Sequence, residues 1–389
     1  MEVKSGYKQT EVGVIPEEWD AVRMGDLFTF KNGLNKEKRF FGHGTPIVNY
    51  MDVFNYRALN VEVIAGRVDV SSKELNAYEV LKGDVFFTRT SETVEEIGIA
   101  AVMLDDTEKT VYSGFVLRAR PINESLDDMF KTYCFSPRYF RQQVTARASY
   151  TTRALTNGRS LSASLLVRPP LPEQRAIAAA LSDMDGLLSS LDQLIAKKHN
   201  LKQATMQQLL TGKTRLSGFS GEWKVKRLGG ELAEMYSGGT PTTSVHSYYG
   251  GDIPWVSISD MTKGGKFIAM TDRNLTHTGF GSCAAQLFPA GTVLYAMYAS
   301  LGECSIAGVP LCSSQAILGI STRSTLNNEF LYYYLTSLKS IVKSLGQHGT
   351  QANLNKGMVE DFRLRLPSVP EQTAIATVLS DMDVELTAL

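Results

Sequence analysis

The chain has 389 residues, 43% hydrophobic and 21% charged, and its 40 basic and 40 acidic side chains cancel. That length supports two or three domains with their own cores, and a net charge of zero excludes a protein that holds nucleic acid by bulk charge alone. No run of roughly 18 apolar residues predicts a membrane helix, the first residues lack the apolar centre of a signal peptide, and four cysteines without CxxC spacing suit buried thiols in a reducing, cytoplasmic setting.

In chain order, a segment around Trp19, Arg23, Met24 and Gly25 leads into a Gly-rich loop with Lys31, Lys36, Lys38 and Arg39. The runs Asp84–Phe87 and, later, Thr292–Tyr295 follow Gly turns and predict strands. Helical spacing of Phe, Tyr and Leu predicts helices over Asp127–Thr145 and Asn328–Leu345, each followed by a polar loop. Mixed strands and helices predict α+β domains of about 150 residues.

The segment Pro172–Asp185 (PEQRAIAAALSDMD) returns as Pro370–Asp383 (PEQTAIATVLSDMD), 198 positions on, with 11 of 14 residues identical. Weaker matches extend the repeat: Trp19 with Trp223, Pro46 and Asp52 with Pro254 and Asp260, Gly83 with Gly291, and Phe130 with Phe330. The chain therefore holds two copies of one unit. The shifting offsets indicate loops of different length on a shared frame, which is where specificity resides. Such a protein suits a partner with two halves, such as duplex DNA with two half-sites or a pair of subunits.

Ile177, Met184 and Leu191 recur at sevens, as do Leu181, Leu188 and Ile195, which is a coiled-coil seam. Leu187, Leu194 and Leu201 widen it. Pro172 suits a first helical turn and Gly212 a stop, giving a helix of about 60 Å that spans between domains. The second copy, with Ile375, Leu379, Met382 and Leu386, offers about 30 Å before Leu389. The two helices would pair antiparallel and hold the domains at opposite ends of a rod with pseudo-twofold symmetry. Ile177, Leu181, Met184 and Leu188 would then lack a partner within the chain. Since burial of each is worth roughly 1.5–3 kcal/mol, a helix from a partner subunit or a second copy is expected there. The domain boundaries that follow are 1–170, 171–212, 213–367 and 368–389.

Catalytic motifs are missing. Gly212-Lys213-Thr214 ends like a phosphate-binding loop, but Gln207 stands where its first Gly belongs. There is no HExxH, GxSxG or GxGxxG, and the five histidines lack metal-ligand spacing. Asp183 and Asp185, repeated as Asp381 and Asp383, point in different directions on a helix and read as solvated or partner-facing carboxylates.

Two variable domains, each followed by a PEQxxIAxxLSxxD helix, together with the WKVKRLG entry to the second unit and the N-terminal GYKQTEVGVIPEEW, resemble the specificity subunit of Type I restriction-modification systems. The resemblance covers essentially the whole chain, although members of that family continue the distal repeat further. It implies a non-catalytic subunit whose domains each read half of an asymmetric bipartite DNA site. The paired helices would set the spacer and dock two methyltransferase subunits. Those subunits would bring S-adenosylmethionine, this chain holding no cofactor or metal, and restriction subunits would then join. The alternative is a shortened subunit that acts mainly as an assembly or self-associating scaffold.

Base edges are read by Arg, Lys, Asn or Gln on positioned loops, and phosphates by cations and small hydroxyls. The stretch Met129–Pro172 has no acid, and neither has Phe330–Val359. In the first domain the DNA-binding candidates are Arg147, Tyr150, Thr151, Thr152, Arg153, Asn157 and Arg159, with Lys31, Lys36, Lys38 and Arg39 as a second group. In the second they are Gln347, His348, Thr350, Gln351, Asn353 and Lys356, with Thr240, Thr242, Thr243, His246, Tyr248 and Tyr249. The tryptophans Trp19, Trp223 and Trp255 read as core or interface residues. Unlike loops in the two domains predict an asymmetric target.

Overall fold

The structure, a computed structural model, describes residues 3–150, 152–345 and 354–389; the side chains of 343–345 lie outside that description. The chain forms two compact units, Met1–Ser189 and Ser190–Leu389. Each is built on a five-stranded sheet of the same order. In the first, Phe28–Asn32, Val116–Pro121, Val85–Thr88, Ala100–Met103 and Ala58–Leu59 lie side by side. In the second the order is Ala233–Ser237, Ile317–Thr322, Val293–Ala296, Cys304–Ala307 and Phe267–Ile268. Only the last pair in each sheet is parallel. The central strands Val85–Thr88 and Val293–Ala296, one residue on from the predicted runs, are buried at every position.

The repeated residues outside the PEQ segment carry this frame. Asp52 and Asp260 each accept the backbone N–H of the residue three before them, Asn49 and Ser257, at 2.8 Å, so both cap a helix start. Gly83 and Gly291 sit at φ +82° and +88°, a conformation that glycine adopts without strain, and turn the chain into the central strand. The predicted helix Asp127–Thr145 is in fact two, Asp128–Cys134 and Arg138–Ala146. Pro137 lacks the N–H that a continuous helix needs and clashes with the preceding turn. Asn328–Leu345 has no proline and runs unbroken.

The central helix runs Leu171–Thr211 and the distal helix Val369–Ala388. The glutamine of each PEQ explains why the motif repeats. Gln174 is fully buried, accepts the Asp127 N–H at 2.9 Å and donates to the carbonyls of Ser125 and Pro169. Gln372 does the same with Asn327, Thr325 and Pro367. One amide thus ties the helix start to the loop before the helix Asp128–Cys134 in one unit and before Asn328–Leu345 in the other. Ala178 and Ala376, both buried, let the helices approach their cores closely.

In the second unit the last turns of the central helix run antiparallel to the distal helix. Lys198 pairs with Glu385 and Lys202 with Asp383, while Met206, Leu209 and Leu210 share one core with Ile375, Ala376 and Leu379. Met382 packs against that core and Leu386 is half-buried. In the first unit Leu181, Met184 and Leu188 are exposed; Leu191 and Ile195, which fall in the second unit, are half-buried. Ile177 departs from expectation: it packs on the core of its own unit beside Ala178. The first turns of the central helix lie against that core, so the uncovered seam begins at Leu181.

Candidate nucleic-acid interface

The sequence candidates separate into side chains that the fold occupies and side chains that it leaves free. Lys36 is occupied. Its Nζ meets Glu74 at 2.8 Å and the Asp69 carbonyl at 2.6 Å, and hydrogen bonds from Lys36 and Ser71 hold the Glu74 carboxyl down to about 2. Lys31 donates to the Ala77 carbonyl, Arg39 pairs with Glu37 at 3.0 Å, and Arg147 donates to the Gln143 carbonyl. Asn157 caps the helix Gly158–Ser162 by accepting the Ser160 N–H, and Asn355, its repeat counterpart, caps Lys356–Glu360 in the same way. A residue that both units use alike belongs to the frame.

In the second unit Tyr249 donates its hydroxyl to the Pro241 carbonyl and stands edge-on to buried Trp255. Thr240 is bonded to Gln315, and Lys356 pairs with Glu360 and lies over Tyr236. Thr242, Thr243 and His246 are exposed and Tyr248 is half-buried. Thr151, Gln347, His348, Thr350, Gln351 and Asn353 lie outside the described residues. In the first unit Lys38, Tyr150, Thr152, Arg153 and Arg159 are exposed. None of the three cations among them, Lys38, Arg153 and Arg159, makes an ion pair among the described residues, unlike Arg39 and Arg168.

The acid-free stretches are less basic at the surface than their sequence suggests. Lys131 is buried, with its amine on the Gly83 carbonyl at 2.9 Å and on Asp128. Arg141 donates to three carbonyls, of Glu95, Ile97 and Gly98, and burial lowers its pKa. Lys339 pairs with Glu303. The acids are supplied from elsewhere in the fold, which linear charge counting does not register.

The second aspartate of each SDMD is also spoken for. Asp185 accepts from the Tyr133 hydroxyl at 3.0 Å and pairs with Arg57, and Asp383 accepts from Tyr333 at 2.6 Å and pairs with Lys202. Asp383 is thereby half-buried, whereas Asp183, Asp185 and Asp381 stay exposed, in keeping with solvated carboxylates. The repeated glutamates differ: Glu173 accepts the Trp19 indole N–H at 2.8 Å, whereas buried Glu371 holds Arg215 through two bonds of 2.9 and 2.6 Å. Among the described residues no group of His, Cys, Asp or Glu could hold a metal, and no helix is long and apolar enough to cross a membrane.

A family model for the Type I restriction modification DNA specificity domain matches residues 16–200 and again 220–389. The chain belongs to that family. The two matches coincide with the two copies of the sheet, so the family's unit is the repeat itself. A type I restriction enzyme specificity subunit of Methanocaldococcus jannaschii (MjaX) is 24% identical, over 98% of this chain and 90% of its own length. The HindI specificity subunit of Haemophilus influenzae is 30% identical over 38% of this chain and 32% of its own length. Among solved structures, the S subunit of a Type I system from M. genitalium matches with a TM-score of 0.57 at 15% identity, covering 100% of this chain and 92% of that one. A structure from work on type I complex assembly and conformational transition gives 0.60 at 20% identity, covering 96% and 92%. These two likenesses establish the fold. The specificity-subunit family and its DNA-recognition role thus agree with the motif-based expectation, and a match along 90% of a relative favours recognition over a scaffold alone.

Proposed function

We propose that each unit of this specificity subunit reads one half of an asymmetric bipartite duplex, and that the helices set the interval between the halves. The observation that carries this reading is an identical frame with unlike loops. The same strand order, capping aspartates and buried glutamines recur, while the free side chains near the loops do not. The DNA-facing groups are then the uncommitted ones: Lys38, Tyr150, Thr152, Arg153 and Arg159 in the first unit, and Thr242, Thr243 and His246 in the second. Side chains spent on caps and ion pairs hold the loops in place.

The chain itself performs no catalysis in this reading. Two methyltransferase subunits carry S-adenosylmethionine and the adenine-modifying site, and restriction subunits join them, in the cytoplasm. The exposed leucines of the central helix supply the docking seam for the methyltransferase, with a second copy of this chain as the competing occupant. Mass measurement with and without the methyltransferase separates the two.

Expression with the neighbouring methyltransferase subunit in an unmethylated host, followed by mapping of modified adenines, tests the reading. A two-part motif with unlike halves is expected. A continuous or palindromic motif overturns the two-reader arrangement.

A further inference from the structure

In a duplicated frame, a feature present in one unit only is a candidate for specificity. The loop from strand Val85–Thr88 to strand Ala100–Met103 spans 11 residues, against seven between Val293–Ala296 and Cys304–Ala307. The longer loop carries Glu92 and Glu96 and borders an open cleft of about 350 Å³, also lined by Tyr50, Phe54, Phe115 and Arg153. Tyr50 and Phe54 are stacked, with centroids 5.9 Å apart. Their counterparts in the second unit are Ile258 and Thr262, so the aromatic wall belongs to the first unit alone.

The cleft has an unusual composition for a surface that only faces water. Phe115 is 64% exposed, and Met51 beside it is 54% exposed. Arg153 and Glu92 are exposed on the same cleft, and neither makes an ion pair among the described residues. Glu96 is held by the Ser91 hydroxyl at 2.9 Å, which leaves Glu92 as the free carboxylate. A guanidinium donates two parallel bonds to guanine O6 and N7, and a carboxylate accepts from the cytosine amino group. Adjacent apolar rings exclude water and strengthen both contacts.

We infer that this cleft reads a G·C base pair in the half-site of the first unit, with Arg153 on the guanine edge, Glu92 on the cytosine amine, and Phe115 and Met51 as its apolar border. The inference rests on the bipartite-reader function proposed above and assigns it to named residues.

Selection of a randomised duplex pool by the full chain, wild type and R153A, R153K and E92A in parallel, tests it. R153A should lower the preference at one base pair by roughly 5- to 150-fold, the range of one bidentate contact, and E92A, which removes the acceptor for the cytosine amine, should lower it at the same base pair. R153K keeps the charge without the fork and should lose that preference as well. The second half-site should be enriched unchanged, which also reports that the variants are folded. A wild-type motif that R153A leaves intact overturns the inference alone. So does a uniform loss across sequences with a salt slope reduced by about one, since that marks a phosphate contact. A wild-type pool without any enriched motif overturns the recognition reading and this inference with it.

Discussion

Leu181 and Leu379 hold the same position in the repeated helix, yet Leu379 is fully buried and Leu181 is 41% exposed. The second unit covers its helix with Met206, Leu209 and Leu210 from the end of the central helix. In the first unit Leu181 instead borders an apolar groove with Trp19, Tyr133 and Ile177. Identical residues thus do two jobs. In one unit they complete a core, and in the other they offer a surface. The difference is in what is packed on the helix and not in the helix.

The comparison makes its largest prediction at that position. Leu379→Ala should cost about 2–5 kcal/mol of stability in urea unfolding, because it opens a cavity in a packed core. Leu181→Ala should cost about 0.5 kcal/mol or less, as for an exposed site. Equal costs would break the contrast between a filled and an open seam. Leu181→Asp should then sharpen it, by abolishing methyltransferase binding in a pull-down while leaving the unfolding midpoint in place.

A smaller contrast lies at the repeated glutamates. Glu371→Ala takes both carboxylate bonds from Arg215. Glu371 is buried but the Arg215 side chain is 26% exposed, so solvent softens the loss relative to a fully buried pair, and the loss should still exceed that of Glu173→Ala. Glu173→Ala removes one hydrogen bond to Trp19 and should cost about 1 kcal/mol. Trp19 emission should shift in that variant, and calorimetry should show which unit is weakened. Similar losses from both would mean that the two glutamates play one role.

The smallest effect concerns pH. Burial first, and then the bond to Asp383, raises the Tyr333 pKa above its ordinary 10; Tyr133 is raised in the same direction by burial and Asp185. A raised folded-state value gives stability that is complete below about pH 10 and lost as pH rises through the folded pKa. Tyr333→Phe should therefore flatten the alkaline loss of stability, and Tyr133→Phe should do so less. Ultraviolet titration of the phenols in each variant checks the order, and a reversed order would contradict the deeper burial of Tyr333.

The repeat was legible because its residues are forced twice. A capping aspartate, a left-handed glycine and a buried glutamine each meet the same backbone need in both units, and such needs tolerate few side chains. The roles behind the pattern were less legible. That Gln174 bonds across to Asp127 and Ser125 requires knowing that a loop nearly fifty residues earlier returns to the helix start. The break at Pro137 could have been read from the proline itself. The candidate interface was legible as regions but not as residues. Lys36, Asn157 and Lys131 look free in the sequence, and Glu74, a helix start and the Gly83 carbonyl take them up in the fold.

By itself, then, the sequence determined that this protein is a duplicated α+β unit with a long apolar-striped helix and the specificity-subunit motifs. Those features are set by local periodicity and by backbone requirements that recur along the chain. Only the tertiary structure decided which copy of the stripe is covered, which cations are neutralised by distant acids, and where Arg153 and Glu92 share a cleft. Each of these depends on contacts between residues far apart in the chain, and spacing along one strand of sequence carries no information about which of them the fold brings within a few ångströms.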